Sequence, residues 1–230
     1  MAAKSGAILT SLEMKKILNV SDCELMHLRT SGEIGFQKVG RTFMYSLPDD
    51  RSFLEHSLGK QLLEWHLLRH PNDISNKPKS TDTLQALELL VSDILIPVER
   101  EFGSVKVTYG FTSSELIAYI KKNTPAGTAS SLDQHASCEH NQRNNKVCDR
   151  GGSSCDFILE NRSMADVTRF ITEHLNFDRI YYYGATRPIH VSVNDLPSRH
   201  LQLMSESSSG RRFPSRKAFG EAAIALSEEL

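Results

Sequence analysis

The chain has 230 residues, of which 39% are apolar and 24% charged, and its formal net charge is -1. That length suits one catalytic-sized module with a smaller companion, and the balanced charge excludes a global bias toward nucleic acid or membrane, so any such partner needs a local patch. Met1 to Ile8 carries one lysine and no long apolar core, so it does not read as a signal peptide. No run approaches the roughly 18 apolar residues of a membrane span. A cytoplasmic protein without a membrane partner is expected, its cysteines serving as thiols or ligands rather than as a disulfide framework.

From Thr10 or Ser11 as cap, Leu12, Met14, Ile17 and Leu18 predict a short first helix. Ser21 with Glu24 three residues on forms a capping box for a second helix, which ends at Gly32. Ile34 to Tyr45 alternates around Gly40-Arg41 and reads as a hairpin. Two helices and a hairpin, in "LTSLEMKKILNVSDCELMHLRTSGEIGFQKVGRTFMYS", resemble the winged helix-turn-helix modules of excisionases and MerR-type proteins. The resemblance implies double-stranded DNA as a partner, with His27, Arg29 and Thr30 at or near the major groove and Lys38 and Arg41 on the wing. Cations and anions nearly cancel over this module, a weak electrostatic footprint that leaves a small helical cap for protein contact as the alternative.

Apolar residues from Phe53 to Leu68 are spaced for a helix that serves as connector or dimerisation element, so an oligomer stays open. Pro71 to Ser80 turns to Pro, Asn, Asp, Ser and Lys and reads as a linker. The expected division is therefore 1–50 for the DNA-binding module, 51–80 for connector and linker, 81–195 for a metal domain and 196–230 for a tail that is mobile before a short C-terminal helix. Within the third part a helix runs from near Thr81, kinked by Pro97, to Gly103. A strand follows at Val105 to Tyr109, then a helix start at Ser113-Ser114-Glu115 and a long loop from Pro125 to Ser154. Cys155 to Leu159 reads as a strand, Ser163 to Asn176 as an amphipathic helix, and Arg179 to Tyr183 with Ile189 to Val193 as a hairpin.

Three separated residues stand out in this part: His135, Asp156 and His190. Two imidazoles and one carboxylate bind a tetrahedral zinc while leaving one position open for water, unlike a closed structural site. The segments "VTYGFTS" from Val107, "DQH" from Asp133, "GSSCDF" from Gly152 and "IHVSV" from Ile189 resemble the strand end, ligand segments and late strand of the zinc D-Ala-D-Ala carboxypeptidases, whose fold is shared with the Hedgehog signalling domain. The resemblance covers about residues 84–194. It implies an α+β fold with an antiparallel sheet, one zinc on His135, Asp156 and His190, and a hydrolase acting on an amide or related bond of a small-molecule or peptide-like substrate.

Three departures bear on the reaction. An inserted loop separates His135 from Gly152 and brings Cys138, His140, Cys148 and Cys155, candidates for a second, structural zinc. Thr112 stands where the family has a carboxylate-binding arginine. Arg187 stands where it has the general base, and a cation cannot accept a proton. Glu139 is the expected substitute base, with Asp149 second and Asp195 also considered, and Arg187 becomes a fixed cation facing the open metal position and suited to an anionic substrate. The alternatives are a DNA-binding regulator whose peptidase-like domain has lost catalysis and senses a ligand or partner, and a domain that keeps the metal for folding alone.

Overall fold

The computed structural model describes residues 8–18, 20–31, 34–40, 42–46, 56–70, 73–123 and 134–230. The chain divides into two compact units, Met1–Glu55 and His56–Leu230. Both are mixtures of helix and sheet, so the class is α+β. None of the described helices is long and apolar enough to cross a membrane.

In the first unit β1 (Ile8–Thr10) leads into α1 (Ser11–Leu18), α2 (Asp22–Ser31) and the hairpin β2 (Gly35–Val39) and β3 (Thr42–Ser46). Two capping boxes set the helix starts. Thr10 N–H donates to Glu13 at 2.8 Å and Ser21 N–H to Glu24 at 2.7 Å, while each hydroxyl accepts from the third residue on. β1 pairs with β3 and was hidden in the sequence because three residues give too little alternation to see. Leu9, Met14, Leu25, Ile34 and Tyr45 make the core. Arg29 lies 3.7 Å over the Phe43 ring and donates to the Tyr45 hydroxyl, so it ties α2 to the hairpin. Thr30 donates to the Met26 carbonyl, His27 and Lys38 are exposed, and Arg41 lies outside the described residues.

The second unit opens with α3 (Ser57–Glu64) and a 3-10 turn, Trp65–Leu68. The expected linker does not separate domains: the boundary falls at Glu55, and residues 56–80 are sewn into the second unit. Asn76 is buried, donates to the carbonyls of Leu63 and Phe111, and accepts from Ser113 N–H. Its polar neighbours Asp73, Ser75, Lys77 and Lys79 are exposed, as a linker's would be, but Asn76 itself pairs with the backbone of distant residues and fastens the segment.

α4 (Thr81–Leu90) is capped by Ser80 and continues through a widened π turn, Val91–Leu95, into α5 (Ile96–Phe102). The kink expected at Pro97 takes the form of this turn, which accommodates a ring lacking the N–H of a regular helix. β4 (Val105–Tyr109) and α6 (Ser114–Asn123) follow, then a 3-10 turn at Gln134–Ala136, β5 (Ser153–Leu159), α7 (Met164–His174), β6 (Arg179–Tyr182) and β7 (Ile189–Val193).

The expected mobile tail is instead β8 (His200–Glu206) and β9 (Arg212–Phe219), followed by the expected short C-terminal helix, α8 (Glu221–Glu228), with Leu201 and Ala223 fully buried. Ser207–Gly210 is a hairpin turn in which Gly210 takes φ +79° and Ser207 N–H donates to the Arg211 carbonyl. Serine-rich composition there marks a turn, and the charges of Arg212, Arg216 and Lys217 mark an edge strand.

The sheet order is β4-β5-β7-β6-β8-β9, antiparallel throughout except for the β6–β8 pair. One face is apolar and buried, through Cys155, Phe157, Leu159, Ile189, Val191, Ile180 and Leu201. The alternate residues, Ser154, Asp156, His190, Ser192, Arg179 and Tyr181, make the opposite face polar.

Candidate metal centre

Register brings the site together. Tyr109 pairs with Asp156, Asp156 with His190 and His190 with Tyr181, so these four side chains form one row across β4, β5, β7 and β6 on the polar face. His135 joins them from the 3-10 turn, its ring 4.6 Å from Tyr109 and 5.1 Å from His190.

The His135 turn is fixed from both sides. Thr112 N–H donates to the His135 carbonyl at 2.9 Å, and Gln134 Nε2 donates to Gly151 O at 2.9 Å and to Asp178 Oδ2 at 3.1 Å. His135 Nδ1 lies 3.0 Å from Gly110 O. A carbonyl only accepts, so Nδ1 carries the hydrogen and Nε2 is the nitrogen turned to the site. Gly110 is dictated by crowding, since a Cβ there would meet Leu62 O at 2.4 Å. Gly152 combines φ +72° with an approach to Val193 O that leaves no room for a Cβ.

Asp156 Oδ1 lies 3.4 Å from His135 Nε2 and 2.9 Å from His190 Nδ1, and the three donor atoms fall within 4.8 Å of one another. A tetrahedral zinc with bonds of about 2.1 Å sets its ligand atoms roughly 3.4 Å apart, so the donor set fits such an ion. Burial pushes the Asp156 carboxyl pKa up, but the hydrogen bonds from His135 and His190 outweigh it and hold the group well below the usual carboxylate range. His135 and His190 are buried, whereas the Asp156 side chain keeps a third of its surface exposed and gives the centre its mouth. The three ligand candidates read from the sequence are therefore brought together.

The other expected site residues are placed elsewhere. Arg187, exposed in the β6–β7 turn, pairs with Glu206 on β8 at 3.1 Å and not with the His–Asp–His cluster. Glu139 is buried, and its carboxylate accepts from Lys79 N–H at 2.9 Å and Ser80 N–H at 3.4 Å, which commits it to the start of α4. Asp149 and Asp195 are exposed. The second zinc cluster does not form among the described residues: only His135, Asp156 and His190 converge. Strand alternation puts Cys155 on the apolar face, opposite Asp156, where burial and then the Asp156 charge push its thiol pKa well up. Cys138, Cys148 and Cys155 are in no disulfide, and His140 is exposed. Thr112 is buried and donates its hydroxyl to Gly110 O.

Sequence reasoning missed Tyr109 and Tyr181, whose rings flank the two histidines; Tyr181 lies 5.1 Å from His190. It also missed Asp178, which is fully buried and receives Arg150, the Ser198 N–H and Gln134. Strand register could have suggested the tyrosines; nothing local signals Asp178. No family model, curated protein or solved structure matches the chain.

Proposed function

We propose that the chain is a zinc-dependent hydrolase of the D-Ala-D-Ala carboxypeptidase and Hedgehog-domain fold, acting on an amide or related bond. The observation that carries this reading is the convergence of two imidazoles and one carboxylate on the half-open polar face of a sheet. Three protein donors mark a catalytic rather than a structural site. The His, Asp, His order and Gly152 four residues before Asp156 support the family's fold.

His135, Asp156 and His190 would hold the ion, which supplies Lewis acidity at an open coordination position. Gly110 orients His135, and the Tyr109 and Tyr181 rings wall the centre on either side. A second reading, a metal-dependent sensor without turnover, is favoured by one observation: Glu139 and Arg187 are engaged away from the cluster. In both readings the first unit is a DNA-binding module, on its helix, helix and hairpin order.

The test uses the full chain loaded with cobalt in place of zinc. Visible bands of a low-coordinate ion that shift when acetohydroxamate is added are expected, since that ligand needs an open position. A chain that retains no transition metal when purified without chelator overturns both readings. Metal bound with the hydroxamate shift present, but no hydrolysis of dipeptides or N-acyl amino acids above the His190→Ala background, selects the sensor.

A further inference from the structure

Two residues along the strands from the metal row lies a second one: Ser154 faces Ser192, Ser192 faces Arg179, and Arg179 faces His200. The pleat repeats every two residues, so Ser154, Ser192 and Arg179 share the face of Asp156, His190 and Tyr181. Ring contacts carry the same sidedness outward, with Tyr181 6.1 Å from His200 and His200 stacked on Phe219 at 4.5 Å.

Ser154 Oγ, Ser192 Oγ, Arg179 Nε and His200 Nε2 are all buried and all lack a hydrogen-bond partner. Folded proteins pair nearly every such atom, so four in one row beside the metal centre mark a place where a bound polar group would find its partners. Both serines are completely buried. The surroundings are positive: burial first, and then the Arg179 and Lys217 charges, push the His200 pKa down, while the opposing Asp178 is bound by Arg150. Among the described residues the Arg179 guanidinium has no ion-pair partner. A guanidinium fork, two hydroxyls and an imidazole complement an oxyanion, and an unpaired half-buried cation is retained at a cost that such a ligand offsets.

We infer that Arg179, with Ser154, Ser192 and His200, forms an oxyanion subsite beside the metal centre that takes a carboxylate or phosphate group of the substrate. The word substrate rests on the proposed function; the binding itself does not. The position also assigns the anion-recognising role to Arg179 rather than Arg187, which Glu206 neutralises.

The test uses the full chain and two probes, inorganic phosphate followed by phosphorus NMR and acetate followed by saturation-transfer NMR. Wild type and the metal-ligand variant His190→Ala should bind one probe saturably, which separates this site from anion ligation to the ion. The preferred probe tells phosphate from carboxylate. Arg179→Gln should weaken binding roughly tenfold or more while keeping its metal, and Arg179→Lys should recover part of it. Where Arg179→Gln fails to fold, Ser192→Ala, which leaves the charge in place, should weaken binding severalfold. Unchanged binding in Arg179→Gln or, in its place, Ser192→Ala overturns the inference, as does a folded wild type that binds neither probe or binding lost in His190→Ala alone. Failure of the metal reading shows separately, as phosphate or acetate binding intact in a chain without metal.

Discussion

His135 owes its orientation to a carbonyl that is not itself a ligand: Gly110 O receives Nδ1–H, and Gly110 can stand there because it has no Cβ to strike Leu62. Gly110→Ala should therefore lower metal affinity about 10–100-fold although it removes no ligand, the usual effect of losing an orienting partner. Competition titration against a chelator measures this, and an affinity equal to wild type would sink the orientation argument. His190→Ala should reduce bound metal from about one equivalent per chain to a trace, read by elemental analysis.

Asp178 acts on stability. Its burial favours the neutral form, but Arg150 and the Ser198 groups outweigh that and depress its pKa in the fold. The sign follows: a depressed folded pKa contributes stability above the unfolded value of about 3.9 and loses it as pH falls through the folded pKa. Asp178→Asn should cost about 3 kcal/mol near neutral pH, since it leaves Arg150 without its partner. It should also flatten the acid limb of the stability curve, which urea unfolding at a series of pH values reads. An acid limb as steep as that of wild type would exclude Asp178 as its source.

At the scale of elements, α3 and the segment after it hold β4 and the Gly110–Ser113 turn in place. Gln61 gives its amide to the Val105 carbonyl and takes Val107 N–H, Phe111 N–H donates to Leu62 O, and Trp65 Nε1 donates to Phe111 O at 2.7 Å. Trp65→Ala should destabilise the second unit by about 3–5 kcal/mol. Because Gly110 and Thr112 flank Phe111, the variant should also loosen the metal, which the same chelator titration checks.

These long-range ties explain what the sequence could and could not show. His135, Asp156 and His190 were legible because ligand chemistry restricts residue type and the family's order supplied the grouping. The helices were legible from local caps, as with Ser21 and Glu24. Asn76 fell within a stretch that reads as a linker, and Gln61 gave no signal, because their partners, Phe111 and Val107, lie more than thirty residues away. Glu139 drew attention by proximity in sequence to His135, yet the chain turns it toward the amides of Lys79 and Ser80. β8 and β9 escaped notice because an edge hairpin buries one side at most and its polar composition resembles that of a tail.

For the whole molecule, the boundary at Glu55 predicts that the fragment 56–230 unfolds cooperatively on its own, whereas 71–230, lacking α3 and Trp65, does not. Circular dichroism melts of the two fragments decide it, and equal cooperativity would mean that α3 is dispensable. The two rims of the sheet are closed by different means. β9 carries Arg212, Arg216, Lys217 and Pro214, a strand that repels further strands by charge and by a missing donor. β4 carries the exposed Lys106 and is flanked by α3, from which a side-chain amide, Gln61, takes the place another strand would fill. With the β9 rim closed, a β4 rim stripped of Gln61 could pair with its like in one other copy and no further, so the flaw it would expose ends in a dimer and never in a fibre.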